Sequence, residues 1–198
     1  MTINFTPNAR HTIGVEMELH LVDAATGDLV SASREILSEM GAGHPGGEHP
    51  KAKHELFQST IEIITGVCET PAEASADLHQ TMAELRASAK RRGLTLMSAG
   101  THPYSLAREQ LVSPSQRYLD LVEDLQGPAR RMLICGMHVH VAVPDGARAI
   151  RIIGELMRHH PLFLALSSSS PYFEREDSGL ASARTKLFEG LPTAGLPP

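Results

Sequence analysis

Two histidines, His138 and His140, lie two positions apart in a segment that alternates apolar and polar residues. Alternation through residues 131–144, RMLICGMHVHVAVP, is typical of a β-strand, so both imidazoles point to one side of the predicted sheet. Gly136 and Ala142 share that side and leave room for a ligand. The other side is apolar, and we expect it to be buried. Its residues are Leu133, Cys135, Met137, Val139, Val141 and Val143.

Two further segments predict strands that carry carboxylates on one face. In residues 12–22, TIGVEMELHLV, Glu16 and Glu18 alternate with apolar residues. In residues 55–67, ELFQSTIEIITGV, Glu62 lies on the polar face of a third predicted strand. The sequence therefore predicts three strands that each present one apolar face and one face bearing possible ligands.

A sheet face that gathers several carboxylates and imidazoles is unstable unless a cation or a substrate balances its charge. A divalent metal ion is the simplest balancing ion. A set rich in carboxylates suits Mg²⁺ or Mn²⁺, whereas zinc prefers histidine and cysteine. Because Mg²⁺ in such sites usually also holds phosphate oxygens, we infer a nucleotide as well.

Other interpretations remain open for these residues. Glutamates on an amphipathic strand commonly form a solvated outer face, and paired histidines commonly form hydrogen bonds within a sheet. Glu55 lies seven residues before Glu62, so a straight strand would place the two on opposite faces. Glu55 reaches the site only if a bulge or a turn intervenes. His102, which precedes a proline, could simply brace a turn, and Arg184 could be a surface charge.

Helical spacing predicts several helices between these strands, and this irregular alternation favours an α+β fold with a largely antiparallel sheet. We expect an apolar face of the helix after Asp145 to point towards the core, residues 162–166 to form a buried helix, and the tail after Pro171 to be loop-like. The predicted helices cover residues 33–40, Pro71 to Gly93, Ser113 to Gly127, Asp145 to His160 and 162–166.

Composition is that of an ordinary globular protein, with 41% hydrophobic and 21% charged residues among 198, which suits one domain with its own core. The net charge of -5 and the lack of a basic block argue against nucleic acid as a partner. Cys68 and Cys135 are too few for a disulfide framework and fit buried free thiols. No signal peptide and no membrane span is predicted, so we expect a cytoplasmic protein.

Six motifs, in order along the chain, resemble those of one family. They are Gly14-Val15-Glu16-Met17-Glu18, Glu55 to Glu62, Ala99-Gly100-Thr101-His102-Pro103, Cys135-Gly136-Met137-His138-Val139-His140-Val141, Ala165 to Phe173 with Ser182-Ala183-Arg184, and Leu191 to Pro197. The chain resembles the type 2 glutamate–cysteine ligase-like group, also called YbdK-type carboxylate–amine ligases. The resemblance extends over nearly the whole chain.

The resemblance implies a glutamine-synthetase-like fold, in which helices cover one face of a curved, largely antiparallel sheet. It also implies a reaction in which ATP phosphorylates a carboxylate, that of glutamate above all, and an amine such as that of cysteine attacks the acyl phosphate. The family's metal ions clamp the phosphates. The implied metal ligands are Glu16, Glu18, Glu55, Glu62 and His138. His140 would line the site as a catalytic residue, and Arg184 would face phosphate or substrate carboxylate, with both catalytic and cofactor-binding roles.

Family members are about twice as long as this chain, and their second half carries a strand with a T-x-E-x-R motif that supplies another glutamate and an arginine. Residues 1–198 would then form the N-terminal half of a catalytic domain, which needs a second-half partner chain or self-association. The leading hypothesis is an ATP-dependent ligase acting on small amino acids. The alternatives are a non-catalytic half that binds metal or nucleotide, and a metal-dependent amide hydrolase.

Overall fold

The structure, a computed structural model, describes residues 5–192 and 194–195. It is a mixed α+β protein built on a five-stranded antiparallel sheet. The strands of this sheet are β1 (Ile13–Asp23), β2 (Ala52–His54), β3 (Thr60–Ile64), β4 (Leu94–Met97) and β5 (Met137–Val141). A separate two-stranded ribbon consists of β6 (Tyr172–Phe173) and β7 (Glu176–Asp177).

The helices follow the predicted order closely. They are α1 (Ser33–Gly41), α2 (Pro71–Lys90), α3 (Gln116–Leu125), α4 (Gly127–Arg130), α5 (Gly146–Leu156), α6 (His160–Ser167) and α7 (Ala183–Glu189). A 3₁₀ turn at Met157–His159 separates α5 from α6, next to the predicted break at Pro161. No helix in the described parts of the chain is both long enough and apolar enough to cross a lipid bilayer.

Strand β1 is the centre of the sheet, because it pairs with three other strands. Its residues 16–20 pair with β3 on one side. On the other side, residues 13–17 pair with β5 and residues 20–23 pair with β4. The order is β2-β3-β1-β4, with β5 beside β4 along the same edge of β1. One long strand therefore connects the part of the sheet that carries the core with the part that carries β5.

Helices α1 and α2 cover one face of the sheet and close the main core. Leu21 of β1, Ile61 of β3, Ile36 of α1 and Leu85 of α2 are all fully buried in this cluster. Thr70 begins α2 as predicted, because its Oγ1 accepts a hydrogen bond from the Glu73 backbone N–H at 3.2 Å. Burial of these aliphatic side chains is the main force that holds the sheet and the two helices together.

Three predictions of burial are wrong in the part of the chain that contains β5, α5 and α6. Met137, Val139 and Val141 of β5 are exposed, although Leu133 and Cys135 before them are buried as expected. Periodicity identifies an apolar face, but burial also requires a second element to cover that face. Within residues 5–192 and 194–195, no element packs closely over these side chains.

Helices α5 and α6 form where they are predicted but do not join the core. Asp145 begins α5, since its Oδ1 accepts a hydrogen bond from the Arg148 N–H at 2.7 Å. The expected inward face of α5, which includes Ile150, is exposed or half-buried, and α6 is exposed rather than buried. The tail also differs from the loop-like prediction, because it contains β6, β7 and α7.

Candidate functional site

The register of β1 brings the predicted ligands together on one face of the sheet. Glu16 lies opposite His138 of β5, and Glu18 lies opposite Glu62 of β3. Opposed residues in an antiparallel pair have their Cβ atoms about 5 Å apart, so each pair is in reach of one bound ion. A glutamate opposite a histidine is favourable, whereas two glutamates directly opposite each other repel.

A turn brings Glu55 to the same face, as its proposed role requires. It lies between β2 and β3 and follows the last residue of β2 directly. The Ser113 hydroxyl donates to the Glu55 carbonyl, and the Tyr118 hydroxyl donates to the carbonyl of His54 at 2.9 Å. Because the chain turns here instead of continuing straight, the seven-residue spacing to Glu62 no longer separates the two carboxylates.

The side chains form two groups that could each hold a metal ion. One group is Glu16, Glu62 and His138, and the other is Glu18, Glu55 and Glu62. Within each group the possible ligand atoms all lie within 4.8 Å of one another. Glu62 belongs to both groups, so the two positions would be adjacent and would share one carboxylate.

This face carries an excess of negative charge, and the excess raises the pKa of three of its carboxyl groups. Burial, and then the nearby charges of Glu55, Glu16 and Glu18, raise the pKa of Glu62 to about 7. Burial also raises the pKa of Glu18, and the neighbouring Glu55 carboxylate adds to this rise. Burial likewise raises the pKa of Glu55. A bound cation would relieve the repulsion and would return these groups to their charged form.

Glu16 differs from the other three carboxylates because two histidines bind it. Its Oε2 lies 3.2 Å from His138 Nδ1, and its Oε1 lies 3.2 Å from His140 Nε2. Burial acts to raise the pKa of Glu16, but the hydrogen bonds and charges of His140 and His138 outweigh it and lower that pKa. His140 thus lines the site beside Glu16 and lies outside both three-residue donor groups.

Arg184, in the first turn of α7, lies at the end of the carboxylate face. Its Nε donates to the Cys135 carbonyl at 2.7 Å, and its guanidinium lies 5.8 Å from the centre of the Phe188 ring. Its positive charge acts to lower the pKa of Glu18. The planar guanidinium is therefore available next to the carboxylates, where it could bind phosphate or carboxylate oxygens in a bidentate manner.

Gly136 positions two of these groups, a role that the sequence predicted only as open space. Its backbone N–H donates to Glu18 Oε2 at 2.7 Å. A Cβ atom at this position would lie 2.7 Å from a guanidinium nitrogen of Arg184 and 3.5 Å from His138 Nε2. No spacing rule could have shown this, because the contact with Arg184 joins residues that are far apart in the chain.

Several other candidates have structural roles. His102 braces a turn, as one interpretation held, because its Nε2 lies 2.9 Å from the Gly27 carbonyl and its Nδ1 accepts from the Ser105 N–H at 3.0 Å. Cys68 and Cys135 are free and buried, as expected. Burial raises the pKa of the Cys135 thiol well above its usual value, which disfavours a nucleophilic thiolate.

The donor set fits a hard divalent cation. Four carboxylates and one imidazole offer mainly oxygen ligands, which Mg²⁺ and Mn²⁺ prefer. The raised pKa of Glu62 is consistent with this fit, because a bound cation would favour the charged form that burial and the neighbouring carboxylates disfavour.

Comparison with known proteins shows which family this chain resembles along its length. A sequence model described as "Glutamate-cysteine ligase family 2 (GCS2)" matches residues 12–198. A protein of Thermobifida fusca named "Putative glutamate--cysteine ligase 2" is 48% identical over 198 residues, which are 100% of this chain and 50% of that protein. A protein of Gloeobacter violaceus with the same name is 44% identical over 201 residues, with 52% of it covered.

The fold is also similar to that of a solved ligase. The crystal structure of a glutamate–cysteine ligase of Francisella tularensis in complex with AMP matches with a TM-score of 0.53 and 11% identity, over 78% of this chain and 30% of that one. This chain spans about half the length of the curated relatives. Of its motifs, only Thr193, Leu196 and Pro197 lie outside the described residues. The family match and the full-length similarity to the curated relatives show that the chain belongs to glutamate–cysteine ligase family 2.

Proposed function

We propose that residues 1–198 form one half of the catalytic domain of an ATP-dependent carboxylate–amine ligase of the glutamate–cysteine type. One observation carries the proposal: two adjacent groups of donors, which share Glu62, lie on a single sheet face in a chain of this family. The AMP bound to the similar Francisella ligase supports the use of a nucleotide. ATP with Mg²⁺ or Mn²⁺ is the proposed cofactor pair.

The proposed reaction has two steps. An oxygen of the substrate carboxylate attacks the γ-phosphorus of ATP, and the bond between that phosphorus and the bridging oxygen breaks. The products of this step are ADP, which departs, and an acyl phosphate. An amine nitrogen then attacks the acyl carbon, inorganic phosphate departs with the carbon–oxygen bond electrons, and the nitrogen loses a proton as the amide forms. Bound divalent ions would neutralise phosphate charge during the phosphoryl transfer.

Each proposed residue has a role that follows from its position. The metal ligands would be Glu16, Glu18, Glu55, Glu62 and His138. His140 would hold Glu16 in orientation, through the 3.2 Å contact between them, and would line the substrate space. Arg184 would bind an anionic oxygen of phosphate or substrate next to Glu18, because its guanidinium is the positive charge placed beside that carboxylate.

The test is the release of ADP by the purified chain with ATP, Mg²⁺, glutamate and cysteine, with the products identified by mass spectrometry. A γ-glutamyl product would establish the reaction. Glu16→Ala and His138→Ala should each abolish metal-dependent turnover, whereas Glu35→Ala, on the exposed side of α1, should leave it unchanged. Unchanged turnover in both site variants would refute the assignment of the site.

A second candidate is an incomplete half that binds metal or nucleotide but turns over only with a partner. It is favoured by the length of the relatives, of which this chain covers about half. Both candidates predict that the chain binds Mn²⁺, which electron paramagnetic resonance measures. A chain without a metal site would show no such binding. Binding without ADP release, lost in Glu62→Gln, would support the second candidate, and ADP release that requires an amine acceptor would support the first.

A further inference from the structure

Exposed apolar side chains are concentrated on β5, α5 and α6. Of the nineteen large hydrophobic residues that are exposed in the described chain, eleven lie on these three elements. Leu166 of α6 is 77% exposed and Ile150 of α5 is 71% exposed. Monomeric proteins rarely leave contiguous apolar patches of this kind uncovered, and such patches commonly mark interfaces. We name the exposed apolar side chains of β5, α5 and α6 the β5–α6 surface.

The sequence of α6 is that of a helix with neighbours on all sides. Its HPLFLALS run has five consecutive apolar residues, Leu162 to Leu166, which therefore point all around the helix axis. Helices that are apolar all round are normally buried. In the described chain, however, no residue of α6 belongs to either of the two main core clusters or packs against one, and all eight residues of the helix are exposed.

The surface has an inner and an outer side. The inner side borders a cavity of about 920 Å³, in which Met17 and Met137 from the sheet face Ile153 and Phe163 from the helices. Ile150, Leu162 and Leu166 lie outside the lining of this cavity and form part of the outer side. Helices α5 and α6 are therefore apolar both towards the sheet and away from it, which is the pattern of a layer between two other layers.

Strand β5 adds an open edge to this surface. It pairs with β1, and within the described residues no strand pairs with its opposite edge. Its sequence MHVHV contains neither the proline nor the lysine that commonly protect an exposed edge. An incoming strand could thus continue the sheet beside His138 and His140, and the same partner could cover the apolar side chains of β5.

We propose that the β5–α6 surface docks the other half of the family's catalytic domain, a polypeptide of about the same length as this chain. The Thermobifida fusca and Gloeobacter violaceus relatives each match the whole of this chain with about half of their own length, so each contains a further segment of about the same length. The surface borders the proposed site, since Glu18 and Arg184 line the same cavity as Met137. The inference rests on the proposed function only in taking residues 1–198 as one half of a catalytic domain.

The first experiment adds the second half in trans. The chain is mixed with the second half of the Thermobifida fusca relative, and complex formation is measured by analytical ultracentrifugation without any substrate. We expect a one-to-one complex. Leu166→Glu and Ile150→Glu should each weaken it at least tenfold, because a charge replaces a buried apolar contact. Leu111→Glu is the matched control, since Leu111 is also exposed but lies beside Gln58, outside the surface.

If the second half does not fold alone, docking is tested by measuring how accessible the surface is in a joined polypeptide. The two halves are joined in one polypeptide, and single cysteines replace Leu166 or Ile150. Both native cysteines are buried, so background labelling by a maleimide is low. We expect the new cysteines to react rapidly in the chain of 198 residues and at least tenfold more slowly in the joined polypeptide. Leu111→Cys should react at the same rate in both.

Three outcomes would overturn the proposal. The first is rapid labelling of Leu166→Cys and Ile150→Cys in a folded joined polypeptide. The second is a homodimer that these glutamate variants dissociate and that excludes the second half, which would assign the surface to another copy of this chain. The third is binding of the chain to vesicles through the same residues. Each readout measures docking and does not depend on turnover. If the new cysteines are protected from the maleimide in a joined polypeptide that has no ligase activity, the proposed function is refuted and the docking proposal stands.

Discussion

The two ends of β1 lie in very different surroundings. At its carboxyl end, Leu19 and Leu21 are buried beneath α1 and α2. At its amino end, β5 pairs with β1, and the apolar residues of β5 remain exposed. Each region combines an amphipathic strand with a helix that begins at a side-chain cap, α2 at Thr70 and α5 at Asp145. The difference shows that pattern and capping are enough to form an element, whereas burial depends on a second apolar layer that the described chain provides for only one region.

The largest predicted effect contrasts a leucine from each region. Leu85→Ala should lower the free energy of unfolding by about 2–5 kcal/mol, because Leu85 is fully buried and its removal leaves a cavity. Leu166→Ala should change it by less than about 0.5 kcal/mol, because that side chain is 77% exposed. Urea denaturation followed by far-ultraviolet circular dichroism measures both. Equal costs would show that α6 belongs to the same folding unit as the main core.

The second prediction concerns His20, which is buried on β1 within the core region. Burial, and then the nearby His102, lower the pKa of His20 to about 3, below its value of 6.5 in the unfolded chain. As the pH falls below 6.5, His20 becomes protonated in the unfolded state but stays neutral in the folded state. The contribution of His20 to stability should therefore fall by about 1.4 kcal/mol per pH unit until the pH nears 3. Denaturation at pH 7, 6 and 5 measures this slope, and His20→Gln should remove it.

The third prediction applies to the carboxylate face, where the sign is opposite. The pKa of Glu62 is raised from 4.5 to about 7, so without metal the group favours folding at low pH, and this advantage is lost as the pH rises through 7. Metal binding needs the charged form, and Mg²⁺ affinity should therefore fall up to tenfold per unit as the pH drops below 7. Isothermal titration calorimetry at pH 6, 7 and 8 measures it. A constant affinity in the wild-type chain would remove Glu62 from the ligand set.

The smallest predicted effect contrasts the two helix caps. Thr70→Ala removes the cap of α2, which packs on the core, and should cost about 1 kcal/mol of global stability. Asp145→Ala removes the cap of α5, whose residues are exposed or half-buried. We expect it to speed amide hydrogen exchange within α5 while global stability stays within about 0.5 kcal/mol. A global loss equal to that of Thr70→Ala would contradict the separation of the two regions.

Local patterns in the sequence determined most of the elements and half of the site. Alternation identified the faces of β1 and β3, and the cap at Thr70 identified the start of α2. Glu16 and Glu18 could be predicted to share one face of β1, and His138 and His140 one face of β5, because side chains two residues apart on a strand share a side. These features depend on residues near one another in the chain, and elementary geometry is enough to relate them.

Only the tertiary structure decided which residues from distant parts of the chain lie next to each other. The register placed Glu18 opposite Glu62, the turn fastened by Ser113 and Tyr118 brought Glu55 to the same face, and Gly136 made room for the guanidinium of Arg184. It also decided that α6 is exposed, although its composition alone predicts a buried helix. Such outcomes depend on contacts between distant segments, and on whether a covering layer is present at all, which no local spacing of residues encodes.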